Sequence, residues 1–194
     1  MQIELYGNDL PVARDGGVAD GDWQIIEPRL VALGGIDQRL QQPAILVLRP
    51  TFALIRRISV FRSVQFGRFL MTRSFVDTAE GHFYWHVSDL IDPGYSTPQR
   101  VLSYLLHDAH HVRQRLEGDT GQHIDQQVQR EVDATDVQLV FARIASAADS
   151  KFLEFLEGYR NDPDKIKGRL ATGVGFFESM FFGKRRFEDH LTIF

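Results

Sequence analysis

The chain has 194 residues, 43% hydrophobic and 25% charged, enough for one globular domain with a substantial core. Its net charge of −4 argues against general nucleic-acid binding, and the absence of cysteine excludes disulfides, thiolate metal sites, iron–sulfur clusters and cysteine nucleophiles. Basic residues gather at Arg56-Arg57, Arg62, Arg68, Arg73 and Lys184-Arg185-Arg186, which read as solvated faces and strand edges. No apolar run reaches the roughly 18 residues of a membrane span, and the N-terminus lacks the basic and apolar regions of a secretory signal. A cytoplasmic protein is therefore expected, with signal-independent export the alternative.

Along the chain, residues 1–6 alternate as a short strand. Asp15-Gly16-Gly17 and Asp20-Gly21-Asp22 are turn-forming, and Asp22 is a candidate cap for a helix through Trp23, Ile25 and Ile26. Pro28 should restart or kink that helix, which Leu30, Val31, Leu33, Ile36 and Leu40 carry on to residue 42, weakened at Gly34-Gly35. Residues 44–48 read as a buried strand. In 50–65, Pro50 suits a helix start while Ile58, Val60 and Val64 favour strand. Residues 69–76 and 82–87 read as strands of a hairpin joined by Asp77-Thr78-Ala79-Glu80-Gly81. In the second, His82, Tyr84 and His86 share one face, opposite Phe83, Trp85 and Val87.

Ser96 or Thr97, followed by Pro98, predicts the start of a helix that ends at Gly118. A second helix is expected over 122–145, with Ile124, Val128, Thr135, Leu139 and Ala142 inward and Glu131 within that stripe. A carboxylate facing inward needs a partner, because burying it alone is costly. A third helix is expected over 151–159, stopped by Asn161-Asp162-Pro163. Beyond it lie glycines and an apolar group, Phe176-Phe177 and Met180-Phe181-Phe182.

The most informative stretch is Leu105-Leu106-His107-Asp108-Ala109-His110-His111-Val112-Arg113-Gln114. It sets His107 and His111 one helical turn apart on a common face, where two imidazoles can hold one metal ion. Arg130-Glu131-Val132-Asp133-Ala134 offers a third ligand, Glu131. Three protein ligands with a fourth position open suit a catalytic zinc. His110, three residues from His107, competes for the second ligand position. It diverges from His107 by about 60°, against about 40° for His111.

Over residues 75–145 this arrangement resembles the zincin metallopeptidases of the gluzincin type, in which His-Glu-x-x-His is followed by a helix carrying Glu. The resemblance implies an α+β zincin-like domain spanning residues 1–194. A small twisted sheet would precede the motif helix, the glutamate helix and the C-terminal helices. It further implies one zinc ion per chain on His107, His111 and Glu131, and hydrolysis of a peptide or protein substrate. The family's general base follows the first histidine; here that position holds Asp108, one methylene shorter, which sets its carboxylate about 1.5 Å further back. His110, Asp133 and Asp136 are candidates for orienting the ligands. Tyr159, with His123, His86 and Arg130, is a candidate for stabilising the oxyanion. The strand carrying His82, Tyr84 and His86 is a candidate for pairing with an extended substrate.

Two other readings fit parts of the pattern. Leu105-Leu106-His107-Asp108 also resembles the HD phosphohydrolases, with His86 as the upstream ligand and Asp133, Asp136 or Asp149 as the last. That fold is all-helical, which the strand-like segment 69–87 opposes. The other is a non-catalytic binding module on a zincin scaffold, with the Asp108 exchange having detuned the chemistry.

Overall fold

The computed structural model describes residues 1–15, 17–37, 43–66, 69–71, 74–92, 97–119, 121, 123–171 and 191–193. The chain is α+β. Strand β1 (Gln2–Leu5) pairs antiparallel with β2 (Asn8–Arg14) through a two-residue turn at Tyr6-Gly7. Both turn residues have positive φ, 52° and 77°, the geometry whose twist matches a hairpin. Tyr6 holds this unusual conformation because its ring stacks on Phe52, 4.5 Å between centroids. A local reading has no access to that contact, so the hairpin was not foreseen.

The chain then crosses through α1 (Asp20–Asp37) and the single turns α2 (Pro43–Leu46) and α3 (Arg49–Phe52) to β3 (Arg57–Phe61), parallel to β2. Three expectations change here. Asp20-Gly21-Asp22 lies within the helix rather than before it. Pro28 does not restart the helix, which runs unbroken from Asp20 to Asp37: the lost backbone bond is outweighed by Ile26, Leu30 and Leu33, all essentially fully buried. Residues 44–48 form no strand. Ile45 is buried as expected, but within the single turn α2, and both flanks of β3 are taken by β2 and by β7 (His82–His86), so the segment has no place beside β3. Gly34 proves structural, since a Cβ there would lie 2.7 Å from the carbonyl oxygen of Glu4. Residues 38–42 of the expected first helix lie outside the described residues.

β3 runs parallel to β7, and β6 (Phe75–Asp77) pairs antiparallel with β7, closing a sheet of order β1-β2-β3-β7-β6. The β6–β7 hairpin turns where expected. Gly81 at φ 64° donates to the Asp77 carbonyl, and the Ala79 amide donates to Asp77 Oδ1. The expected strand over 69–76 is divided. Its first part, β5 (Phe69–Met71), joins a separate antiparallel sheet with β4 (Val64–Phe66) and β8 (Leu191–Ile193), ordered β5-β4-β8.

After β7 come α4 (Val87–Ile91) and α5 (Pro98–Leu116). Thr97 caps α5 by accepting from the Arg100 amide, and Gly118 at φ 89° ends it, as the sequence predicts. Leu102, Leu105, Leu106 and Ala109 are fully buried beneath α5, against the Ile58, Val60, Phe83 and Trp85 face of the sheet. Each buried leucine contributes about 2 kcal/mol of transfer free energy, so this face anchors the motif helix. α6 (Ile124–Ala145) returns along α5, and α7 (Ser150–Arg160) and α8 (Pro163–Ala171) pack on α6. The inward stripe of α6 divides its packing. Leu139 and Ala142 meet Phe152 and Leu156 of α7, whereas Ile124 and Val128 meet Tyr159, Ile166 and Leu170. The apolar group Phe176-Phe177 and Met180-Phe181-Phe182 lies outside the described residues. No helix among the described residues is long and apolar enough to cross a membrane.

Candidate metal centre

Helix α5 presents His107 and His111 on one face, and α6 brings Glu131 opposite them. The two Nε2 atoms are 3.2 Å apart. Glu131 Oε2 lies 3.5 Å from His107 Nε2, and Oε1 lies 3.2 Å from His111 Nε2. A tetrahedral zinc with ligand bonds of about 2.0–2.1 Å sets its ligand atoms about 3.3–3.4 Å apart. The Nε2–Nε2 spacing is close to one edge of such a tetrahedron, and each Nε2 faces a different oxygen of the Glu131 carboxylate, so the three groups converge on one point. Among the described residues these three form the one cluster of histidine and carboxylate side chains close enough to share an ion. The donor set, two imidazoles and one carboxylate, suits zinc.

The electrostatics of the cluster centre on the Glu131 carboxylate. Burial opposes ionisation of Glu131, but His111 first and then His107 outweigh it and hold the carboxyl well below its ordinary range. An ionised, buried carboxylate beside two imidazole nitrogens needs positive charge between them, from a proton or a metal.

His111 is oriented from behind. Its Nδ1 lies 2.8 Å from Gln114 Oε1, a pairing that places the proton on Nδ1 and leaves the Nε2 lone pair facing Glu131 and His107. Gln114 is itself fixed by α6: its Nε2 donates to the Arg130 carbonyl at 3.1 Å, and Arg130 Nε donates to its Oε1 at 3.4 Å. Asp133 and Asp136, candidates for orienting the ligands, both lie elsewhere. Asp133 accepts from Gln129 and Asp136 from Arg160, because each points well away from Glu131 around α6. Gln114 had a usable signal, lying three residues after His111 and seven after His107, on the same helical face.

The centre borders a cavity of about 610 Å³. Asp108 is half-buried on its wall, and burial raises its pKa, partly opposed by His107 and His111. Tyr159 reaches in from α7: its hydroxyl donates to Glu131 Oε2 at 3.4 Å. Its pKa is pushed up to about 12 by burial and by the Glu131 charge, so it stays a donor at neutral pH. Arg169 of α8 lies over the Tyr159 ring, 5.5 Å from its centroid, and lines the same cavity. His110 stays outside the cluster; burial, then His111, Arg113 and His107, lower its pKa to about 4. His123 is exposed at the start of α6, and Arg130 is engaged with Gln114.

The β7 histidines lie on the far side of the sheet. His82 Nε2 contacts Ser59 Oγ at 2.9 Å, and Tyr84 stacks on Phe75, 4.6 Å between centroids. His86 engages Ser88 Oγ and the Arg62 carbonyl, each at 2.7 Å. Phe83 and Trp85 of the opposite face line the cavity instead. The alternation was legible, but with aromatics on both faces nothing local says which one meets the helices. β7 is also an interior strand, paired on both sides, so it has no edge to offer a substrate. The phosphohydrolase ligand set is not assembled: His86 is across the sheet, and Asp149 caps α7 while pairing with Arg100.

No family model matches the chain, and neither a curated protein nor a solved structure shows detectable similarity to it.

Proposed function

We propose that this protein is a zinc-dependent hydrolase of the zincin type acting on peptide bonds. The observation that carries the reading is the His107–His111–Glu131 cluster, close enough to share one ion and opening onto a cavity of about 610 Å³. A zinc ion held there supplies Lewis acidity and lowers the pKa of water. Asp108, on the cavity wall directly after His107 in the chain, takes the proton from the attacking water. Tyr159, a neutral donor beside Glu131, offers a hydrogen bond to charge developing on the substrate carbonyl oxygen. The outer end of the five-stranded sheet is β6, and Ser74 and Phe75 at its start line the cavity, so an extended peptide laid along β6 would reach the centre.

The test is metal stoichiometry followed by hydrolysis. The purified protein should hold about one zinc per chain, His107→Ala and Glu131→Ala should each lose it, and a peptide library should be cleaved only by the loaded wild type. Undiminished zinc in both variants would remove the reading. Zinc bound without cleavage of any peptide would instead favour a binding module on the same scaffold.

A further inference from the structure

The cavity does more than admit a backbone to the metal centre. It continues along α5 and α6 away from their connecting loop, past Tyr104 to Val101 on one helix and to Gln138 on the other. Gln138 lies seven residues beyond Glu131, about 10 Å further along the axis and on nearly the same face. Its side chain leans toward the helix N-terminus, back toward the centre. The lining there includes the aromatic and apolar side chains of Phe83 and Trp85 of β7, Phe155 of α7, and Tyr104 and Val101 of α5, and the same cavity is also lined by Ser74, Ser88 and Asp89.

Among these walls Gln138 is out of place. It is only 2% exposed, yet its Nε2 has no hydrogen-bond partner. A buried donor left unpaired costs roughly 1–3 kcal/mol, so such a group is either a defect or waits for a ligand. An apolar residue of the same length would fill the space without that penalty.

We infer that Gln138 is a specificity-determining residue, and that the cavity beyond the metal centre takes a tyrosine-like side chain whose hydroxyl meets the Gln138 amide. The aromatic walls suit a flat ring, and the distance from the centre suits a side chain next to the bond being broken. A hydroxyl is the best match to a neutral amide, because it accepts from Nε2 or, with the amide turned over, donates to Oε1. A carboxylate would share the cavity with the Asp89 carboxylate, and the cavity's cation, Arg169, lies over Tyr159 instead. The placement of the reacting bond rests on the proposed metallopeptidase reading; the selectivity of the cavity does not.

Two pairs of probes separate those claims. p-Cresol and toluene, titrated into metal-free protein by calorimetry, differ only by the hydroxyl. Tyrosine hydroxamate and phenylalanine hydroxamate, titrated into zinc-loaded protein, add a metal-binding group. In both pairs the hydroxyl-to-hydrogen affinity ratio should fall about tenfold in Gln138→Leu, because the hydroxyl is then buried without a partner. Gln138→Met, which keeps the chain length, should behave the same and guards against a packing artefact in the leucine variant. A ratio within twofold of wild type in both variants, or no occupancy by either cresol or toluene, would overturn the inference. If the cresol ratio falls as expected but neither hydroxamate binds, the metallopeptidase reading fails and the pocket stands. If both hydroxamates bind zinc-loaded wild type equally, the pocket fails and the metal centre stands.

Discussion

Gln114 gives the sharpest test of how the metal centre is held. Its Oε1 accepts from His111 Nδ1 at 2.8 Å, and its Nε2 donates to the Arg130 carbonyl at 3.1 Å. Gln114→Leu removes both bonds, together with the longer one that Oε1 accepts from Arg130 Nε at 3.4 Å, while keeping an apolar stem. Partners of this kind typically govern metal affinity by 10–100-fold, about 1.4–2.7 kcal/mol. The expected outcome is a zinc dissociation constant raised in that range, measured by competition with a chromophoric chelator. The metal-free protein should also lose stability, by about 2–3 kcal/mol for three buried hydrogen bonds at about 1 kcal/mol or less each, read from urea unfolding. Gln114→Glu separates the two effects. It keeps an acceptor for His111 Nδ1, so zinc affinity should stay near wild type or rise, although the bond to the Arg130 carbonyl is lost. A Gln114→Leu protein that unfolds at its ordinary urea midpoint and binds zinc within twofold of wild type would refute this account of the centre.

Other consequences can be checked directly. Asp108→Asn should keep zinc and lose hydrolysis, since an amide accepts no proton at neutral pH, whereas Asp108→Glu should hydrolyse faster if the shorter side chain limits the native rate. Faster hydrolysis by Asp108→Asn than by wild type would remove Asp108 from the chemistry. Glu131→Ala should damage zinc affinity far more than His86→Ala, because His86 faces Ser88 and the Arg62 carbonyl across the sheet; a titration giving the opposite order would overturn the site. His82 should make the metal-free fold acid-sensitive. Burial and then Arg57 lower its pKa to about 3, from 6.5 in the unfolded chain, so its stabilising effect is complete above about pH 6.5 and is lost as pH falls toward 3. Between pH 7 and pH 5 this amounts to about 2 kcal/mol, and His82→Gln should flatten that part of the stability profile. An unchanged profile would mean His82 is not buried neutral beside Ser59 and Tyr84.

The sequence alone determined what depends on local chemistry. Thr97-Pro98 and Gly118 bound the motif helix because caps act within one turn, and the His107–His111 spacing gives a common face because the helical period is invariant. The β6–β7 turn was legible for the same reason, since Gly81 supplies a backbone angle few other residues tolerate. Tertiary structure decided whatever needed a second element. Pro28 stays inside α1 because Ile26, Leu30 and Leu33 are held by the core, and residues 44–48 find no place beside β3 because β2 and β7 flank it on both sides. The face of β7 that meets the cavity follows from which side the helices cover, so Phe83 and Trp85 line it while His82, Tyr84 and His86 turn away. Within the site, the histidine pair was written in one helix. Its Gln114 support and the buried, unpaired Gln138 arise only where α5 and α6 meet, since a hydrogen bond made or missed between two helices depends on their relative placement, which no local pattern encodes.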